Sequence, residues 1–195
     1  FKEQYKNYNS IDYLLYTLPN NEVDNSKYIG PGCDSNLFKI EKTNDFIILI
    51  DDCYYDPNKS HNEHTPEILD KCISFIKKEP SIIVIRLGIK DKMNNFVDPY
   101  KNVVNNYFVI EEPISLIEKS KLHNKANVWW GTHSESFGQE YLESAMSGCL
   151  LVYKKGYINK FFEQFYSLQY QSVDSVRLED LINYDKYKYQ RELSL

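Results

Sequence analysis

Five short, nearly unbroken apolar runs punctuate this chain: Phe46 to Ile50, Ile82 to Ile85, Tyr107 to Ile110, Asn127 to Trp130 and Cys149 to Tyr153. Their continuity is the constraint. A strand with one wet face alternates apolar and polar residues, whereas a strand covered on both faces does not. Runs of four or five are too short for buried helices. They predict parallel strands sandwiched between layers of helix.

The intervening segments carry helical spacing. After Thr65-Pro66-Glu67, apolar residues fall at Ile68, Leu69, Cys72, Ile73, Phe75 and Ile76. Thr65 suits an N-cap, Pro66 suits the first helical position and Pro80 ends the segment. Ser115 to His123 predicts a second helix, and Gly138 to Ser147 a third with Leu142, Ala145 and Met146 on one side. The order β-α-β-loop-β-α-β-α-β predicts an α/β layer fold, a Rossmann-like parallel sheet with helices on both faces. Ligands in such sheets sit beyond the carboxyl ends of the strands.

The rest of the chain has a different texture. Residues 91 to 106 are polar and Asn-rich and read as an exposed loop. Ile11 to Leu18 reads as a strand, Ile29-Gly30-Pro31-Gly32 as a tight connector, and Ser172 to Leu195 as a charged helical tail. We divide the chain into a linker or remnant segment over 1–38 and a domain over 39–195. The 17 tyrosines accompany abundant Asn, Lys and Ile and read as compositional bias.

At 195 residues the chain is long enough for one domain with its own core. A formal charge of -5 argues against a nucleic-acid partner, which asks for a basic face. Cys33, Cys53, Cys72 and Cys149 are widely spaced and form no Cys-x-x-Cys pair, as expected of reduced thiols. With neither an 18-residue apolar run nor a signal peptide expected, the predicted location is cytoplasmic, free or peripheral at a membrane.

The densest chemistry lies between residues 131 and 152. Glu135 and Glu143 are separated by seven residues, and Ser136-Phe137-Gly138 follows the first directly. A strand runs in and a helix starts near Gly138. Backbone N–H groups of Phe137, Gly138 and Gln139 at that start suit phosphate oxygens. Carboxylates suit sugar hydroxyls, because each oxygen accepts more than one hydrogen bond. Together these features describe a site for a sugar joined to a phosphate.

Ala126-Asn127-Val128, Glu135-Ser136-Phe137-Gly138 and Leu142-Glu143-Ser144-Ala145-Met146-Ser147-Gly148 resemble the retaining glycosyltransferases of the GT-B type, which pair two Rossmann-like domains. Upstream, Gly32-Cys33-Asp34-Ser35-Asn36-Leu37-Phe38 is similar to that family's interdomain linker. The resemblance covers most of residues 27 to 185 and implies the C-terminal, donor-binding half of a GT-B fold. It implies a nucleotide-sugar donor and a glycan, lipid-linked or protein acceptor. It implies transfer with retention and no cofactor or metal. Glu135 would be the catalytic residue on the transferred sugar and Glu143 would hold the ribose. Ser136, Phe137, Gly138, Gln139 and His133 would line the donor pocket, and Gly156 resembles a family glycine near the cleft. An N-terminal GT-B domain, in cis or in trans, would complete the cleft. The chain starts at Phe1, and residues 1 to 26 are too short to supply that domain.

One departure concerns the phosphates. Family members usually carry an arginine and then a lysine after the first strand. Here the strand runs into Asp51-Asp52-Cys53-Tyr54-Tyr55-Asp56, and Lys59 is the nearby cation. Arg86, at the end of the next strand, is the other candidate for the diphosphate. Two rivals remain: a glycosyltransferase-like binding or scaffold module without catalysis, and an unrelated receiver-like signalling domain built around Asp51 and Asp52. A zinc site seeded by His61, Glu63 and His64 lacks a further ligand to complete it.

Overall fold

The computed structural model describes residues 33–52, 65–88, 97–133, 139–157 and 167–184, together with the backbone of two short strands nearer the N-terminus. Those strands, β1 (Leu14–Tyr16) and β2 (Ser26–Tyr28), pair with each other in parallel.

The elements that follow are β3 (Phe46–Asp51), α1 (Thr65–Lys78), β4 (Ile82–Leu87), β5 (Tyr107–Ile110), α2 (Leu116–Lys125), β6 (Val128–Gly131), α3 (Gln139–Met146), β7 (Leu150–Lys154), β8 (Ser167–Tyr170) and α4 (Leu178–Ile182). All five apolar runs become strands. Every pairing among β3 to β8 is parallel, and the sheet order is β5-β4-β3-β6-β7-β8.

Residue parity assigns the two faces. Ile48, Ile50, Val128, Trp130, Leu150 and Val152 pack with Ile68, Leu69, Cys72, Ile73 and Phe75 of α1. The alternate residues Ile47, Leu49, Trp129, Leu151 and Tyr153 pack with Tyr141 and Ala145 of α3. Two buried faces explain why the strands are apolar without alternation. The helices end by local chemistry. Ser115 and Glu118 form a reciprocal capping box on α2. Beyond α3, Gly148 has φ 72°, and Cys149 N–H bonds back to the Ser144 carbonyl at 3.0 Å.

Counting from β3, the strand order is 3-2-1-4-5-6, that of the dinucleotide-binding fold. Receiver-like domains run 2-1-3-4-5, so the signalling alternative loses its structural basis. The order reverses between β3 and β6, which opens a crevice beyond their carboxyl ends.

Three expectations shift. Strand β8 escaped the sequence pattern because Ser167-Leu168-Gln169-Tyr170 is a partly polar edge strand. The tail, within its described part, is a short 3-10 turn (Val173–Ser175) followed by α4, not one long helix. Residues 33–38 are packed onto the domain rather than set apart as a linker. Phe38 is buried, Asn124 Nδ2 donates to the Leu37 carbonyl at 2.8 Å, and Lys39 N–H donates to Asn124 Oδ1 at 2.9 Å.

Candidate functional site

The crevice floor is acidic and closed. Asp51 ends β3, and Asp52 follows it with a side chain fully removed from solvent. Asp52 Oδ1 accepts from Thr65 Oγ1 at 2.9 Å, which fastens the start of α1 to the strand end. Thr132 Oγ1, just past β6, donates to the Asp51 carbonyl at 2.6 Å. The two strands that flank the reversal are thus tied together at their tips.

Arg86 lies beneath this floor. Its Nε donates to Asp52 Oδ2 at 2.9 Å, Nη2 reaches the same oxygen, and Nη1 donates to Asp98 Oδ2 at 3.0 Å. Tyr107 Oη donates to that Asp98 oxygen as well. The Arg86 and Asp98 side chains are 3% and 4% exposed, and Asp52 is 0% exposed. Burial works against the guanidinium charge, but Asp52, Tyr107 and Asp98 outweigh it and hold Arg86 above the ordinary arginine range. Arg86, expected to meet a diphosphate, in this arrangement neutralises two buried carboxylates. The loop prediction for 91 to 106 needs amending too, since Asp98 is buried and Tyr100 and Val104 pack against the core.

Helix α3 begins beside the crevice. Glu143 lies one turn into it with only 5% of its side chain exposed. Gln139 Nε2 donates to Glu143 Oε1 at 2.9 Å. Lys119, from α2, places Nζ 2.9 Å from Glu143 Oε2 and 2.6 Å from Glu140 Oε1. The structure thus brings Gln139 and Glu143 together. His133 follows Thr132 at the tip of β6, half-buried, with Nδ1 3.5 Å from Thr132 Oγ1. Glu135, Ser136, Phe137, Gly138 and Lys59 lie outside the described residues, as do Asp56, His61, Glu63 and His64. Gly156 turns the chain after β7 with φ 89°, and open space surrounds the position of an added Cβ.

A second polar cluster joins α2, α3 and the segment before β3. His123 is fully buried, its Nδ1 is 2.9 Å from Ser144 Oγ and its ring meets Phe38 edge-on. Burial first, then the positive charges of Lys119 and Lys42, depress it to a pKa of about 3. Cys33 sits near the same helix pair. Burial, then the negative charges of Glu143 and Asp34, push its thiol up to about 11. Among the described residues no three His, Cys, Asp or Glu side chains converge to hold a metal ion. None of the described helices is long and apolar enough to cross a membrane.

Sequence reasoning missed Lys119 and Asp98. Lys119 was visible as a charge among the apolar positions of α2, which is a signal that its head group has a partner. Asp98 gave no signal, because its partner Arg86 is twelve residues away across a loop.

No protein-family model matches the sequence, and no curated protein sequence is similar to it. Solved structures do share the fold. The C-terminal domain of the glycosyl transferase group 1 family protein LpcC from Francisella tularensis is 18% identical with a TM-score of 0.59, over 81% of this chain and 91% of that one. Anabaena HepE, solved with UDP and glucose, is 14% identical with a TM-score of 0.53, over 82% of this chain and 47% of that one. Sucrose-phosphate synthase from Thermosynechococcus elongatus is 15% identical with a TM-score of 0.54, over 94% of this chain and 49% of that one. The chain has the Rossmann-like fold of the C-terminal domains of GT-B enzymes and spans about half the length of the latter two.

Proposed function

We propose that this chain is the nucleotide-sugar-binding domain of a retaining glycosyltransferase that adds sugars to a glycan, lipid-linked or protein acceptor. The observation that carries it is the position of Glu143. It is a buried carboxylate in the helix that follows β6, beside the crevice where the strand order reverses. That crevice is where this sheet order binds ligands. The shared fold with LpcC, HepE and sucrose-phosphate synthase supports the same assignment, as does the UDP and glucose bound by HepE.

In this reading Glu143 receives the ribose hydroxyls. The backbone at the start of α3 faces the diphosphate, and Glu135 contacts the transferred sugar. His133, at the tip of β6, borders the pocket. Departure of the diphosphate leaves an oxocarbenium-like sugar, and a departing phosphate oxygen takes the acceptor proton. Catalysis is then positioning and electrostatic stabilisation, with no protein nucleophile. A second domain across the cleft would supply the acceptor side.

The phosphate charge needs a cation, and Arg86 is already committed to Asp52 and Asp98. Lys59 is the remaining candidate from the sequence. The same commitment favours the second possibility, a glycosyltransferase-like module that binds a nucleotide or sugar without transferring it.

The test is a thermal-shift panel of nucleoside diphosphates and nucleotide-sugars on the 195-residue chain, followed by Glu135→Ala in the organism. Stabilisation by one nucleotide-sugar, with loss of biological output in Glu135→Ala, is the expected result. Absence of any shift across the panel would falsify donor binding. A shift with unchanged output in Glu135→Ala would leave the binding module.

A further inference from the structure

Glu143 sits in a small charge cluster whose composition is unusual for a helix-helix contact. Glu140 and Glu143 lie three residues apart on α3, and like charges at that spacing repel. Lys119 of α2 stands between them, 2.6 Å from Glu140 Oε1 and 2.9 Å from Glu143 Oε2. The approach to Glu143 is an ion pair without hydrogen-bond alignment. Among the described residues, Glu143 Oε2 is buried and accepts no hydrogen bond, and the same holds for Glu140 Oε2. Buried carboxylate oxygens in folded proteins nearly always have a donor. Here charge is compensated but hydrogen-bonding capacity is left over.

The other Glu143 oxygen, Oε1, does have a donor, the Gln139 amide. The two partners differ in kind. Lys119 is a charge on a separate helix, capped and packed, so it fixes where the carboxylate points. Gln139 is a neutral side chain on the first residue of α3, half-buried and beside the crevice. A hydroxyl donor can replace a neutral amide donor one for one, whereas nothing neutral replaces an ammonium beside a buried carboxylate.

We propose that Lys119 is the positioning residue for ribose recognition, and that the Gln139 side chain is a placeholder that a ribose diol displaces from Glu143. This rests on the assignment of Glu143 to the donor ribose made above. The diol brings two O–H donors. Glu143 offers Oε1 once Gln139 leaves, and the acceptor position already open on Oε2. Lys119 keeps the carboxylate aimed while that exchange happens, without touching the ligand.

The test is isothermal titration of the full 195-residue chain with UDP, GDP and ADP, each beside its 2′-deoxy counterpart. The quantity read is the preference for the ribonucleotide over the 2′-deoxynucleotide. In the unmodified chain, one of the three binds, and the ribose form is preferred about tenfold. Lys119→Met should collapse that preference to near unity, and Lys119→Arg should restore most of it. Gln139→Ala should hold or tighten binding of the ribonucleotide, since it removes a competitor. A ribose preference that persists in Lys119→Met overturns the positioning role, even if its melting temperature falls. Loss of binding in Gln139→Ala overturns the placeholder and remains informative should Lys119→Met fail to fold. If the unmodified chain binds none of the three nucleotides, the donor assignment falls and this proposal with it. If one binds with no ribose preference, donor binding stands and the Lys119 role alone is rejected.

Discussion

Arg86 and Asp52 face each other across adjacent strand ends, with Nε 2.9 Å from Oδ2 and both side chains sealed from water. Arg86 also holds Asp98 at 3.0 Å, so one guanidinium serves two buried carboxylates. Gly88 makes room for it: a Cβ there would come within 3.1 Å of the guanidinium carbon. Removing one member of such a buried set leaves an uncompensated charge. Arg86→Met should therefore destabilise the fold by about 3–5 kcal/mol, read from urea denaturation midpoints. Pairing it with Asp52→Asn should recover part of that loss, because one orphaned charge goes with its partner. A single mutant with unchanged stability would show that the ion pair does not form.

The sheet was legible in the sequence because two buried faces leave no room for polar residues, and Ile47 to Ile50 and Trp129 to Trp130 meet both faces. Helix α2 was legible through the spacing of Leu116, Ile117 and Leu122, and the structure adds a cap that uses both the hydroxyl and the backbone of Ser115. What the sequence withheld is pairing across distance. Asp52 and Arg86 were each visible as charges at strand ends, but their contact depends on β3 and β4 being neighbours in register, with Ile50 opposite Arg86. Glu143 was singled out by its spacing from Glu135. Its partner Lys119 was not, because only the packing of α2 on α3 brings them together.

His123 makes stability depend on pH in a definite direction. Its folded pKa is about 3, against 6.5 for an ordinary histidine, and burial is the chief cause. The unfolded chain therefore takes up a proton below pH 6.5 that the folded chain refuses until about pH 3. Stability is full above 6.5 and declines as pH falls through that window, by about 1.4 kcal/mol per pH unit from this group alone. His123→Gln should remove that contribution. Urea midpoints measured from pH 4 to 8 should fall less steeply in the variant than in the unmodified chain. Parallel slopes would mean that His123 is protonated in the fold.

Gly131 closes β6 under the ring of Trp129. A Cβ at this position would lie 2.7 Å from Trp129 Cη2 and 3.1 Å from the Tyr141 hydroxyl. Both rings are buried and pack edge-on at 4.5 Å between centroids, so neither can swing away without disturbing α3. Gly131→Ala should cost about 1–3 kcal/mol by overpacking. The loss should appear as a lower thermal midpoint with near-ultraviolet circular dichroism altered in the tryptophan band. A neutral result would mean that α3 yields readily.

Cys33 lies within electrostatic reach of Glu143. Its thiol is raised from 9.0 to about 11, first by burial and then by the charges of Glu143 and Asp34. At pH 8 roughly one molecule in a thousand carries the thiolate, so alkylation by iodoacetamide should be slow. Glu143→Gln deletes one of the opposing charges and also frees the positive charge of Lys119, which lies on Glu143 Oε2. Both changes favour the thiolate. The rate at Cys33, followed by peptide mass spectrometry to separate it from the other cysteines, should rise about twofold or more. Asp34→Asn should give a smaller rise, in keeping with the lesser influence of that carboxylate. An unchanged or slower rate in Glu143→Gln would mean that the segment before β3 does not lie against α3, and would remove Cys33 from the neighbourhood of the site.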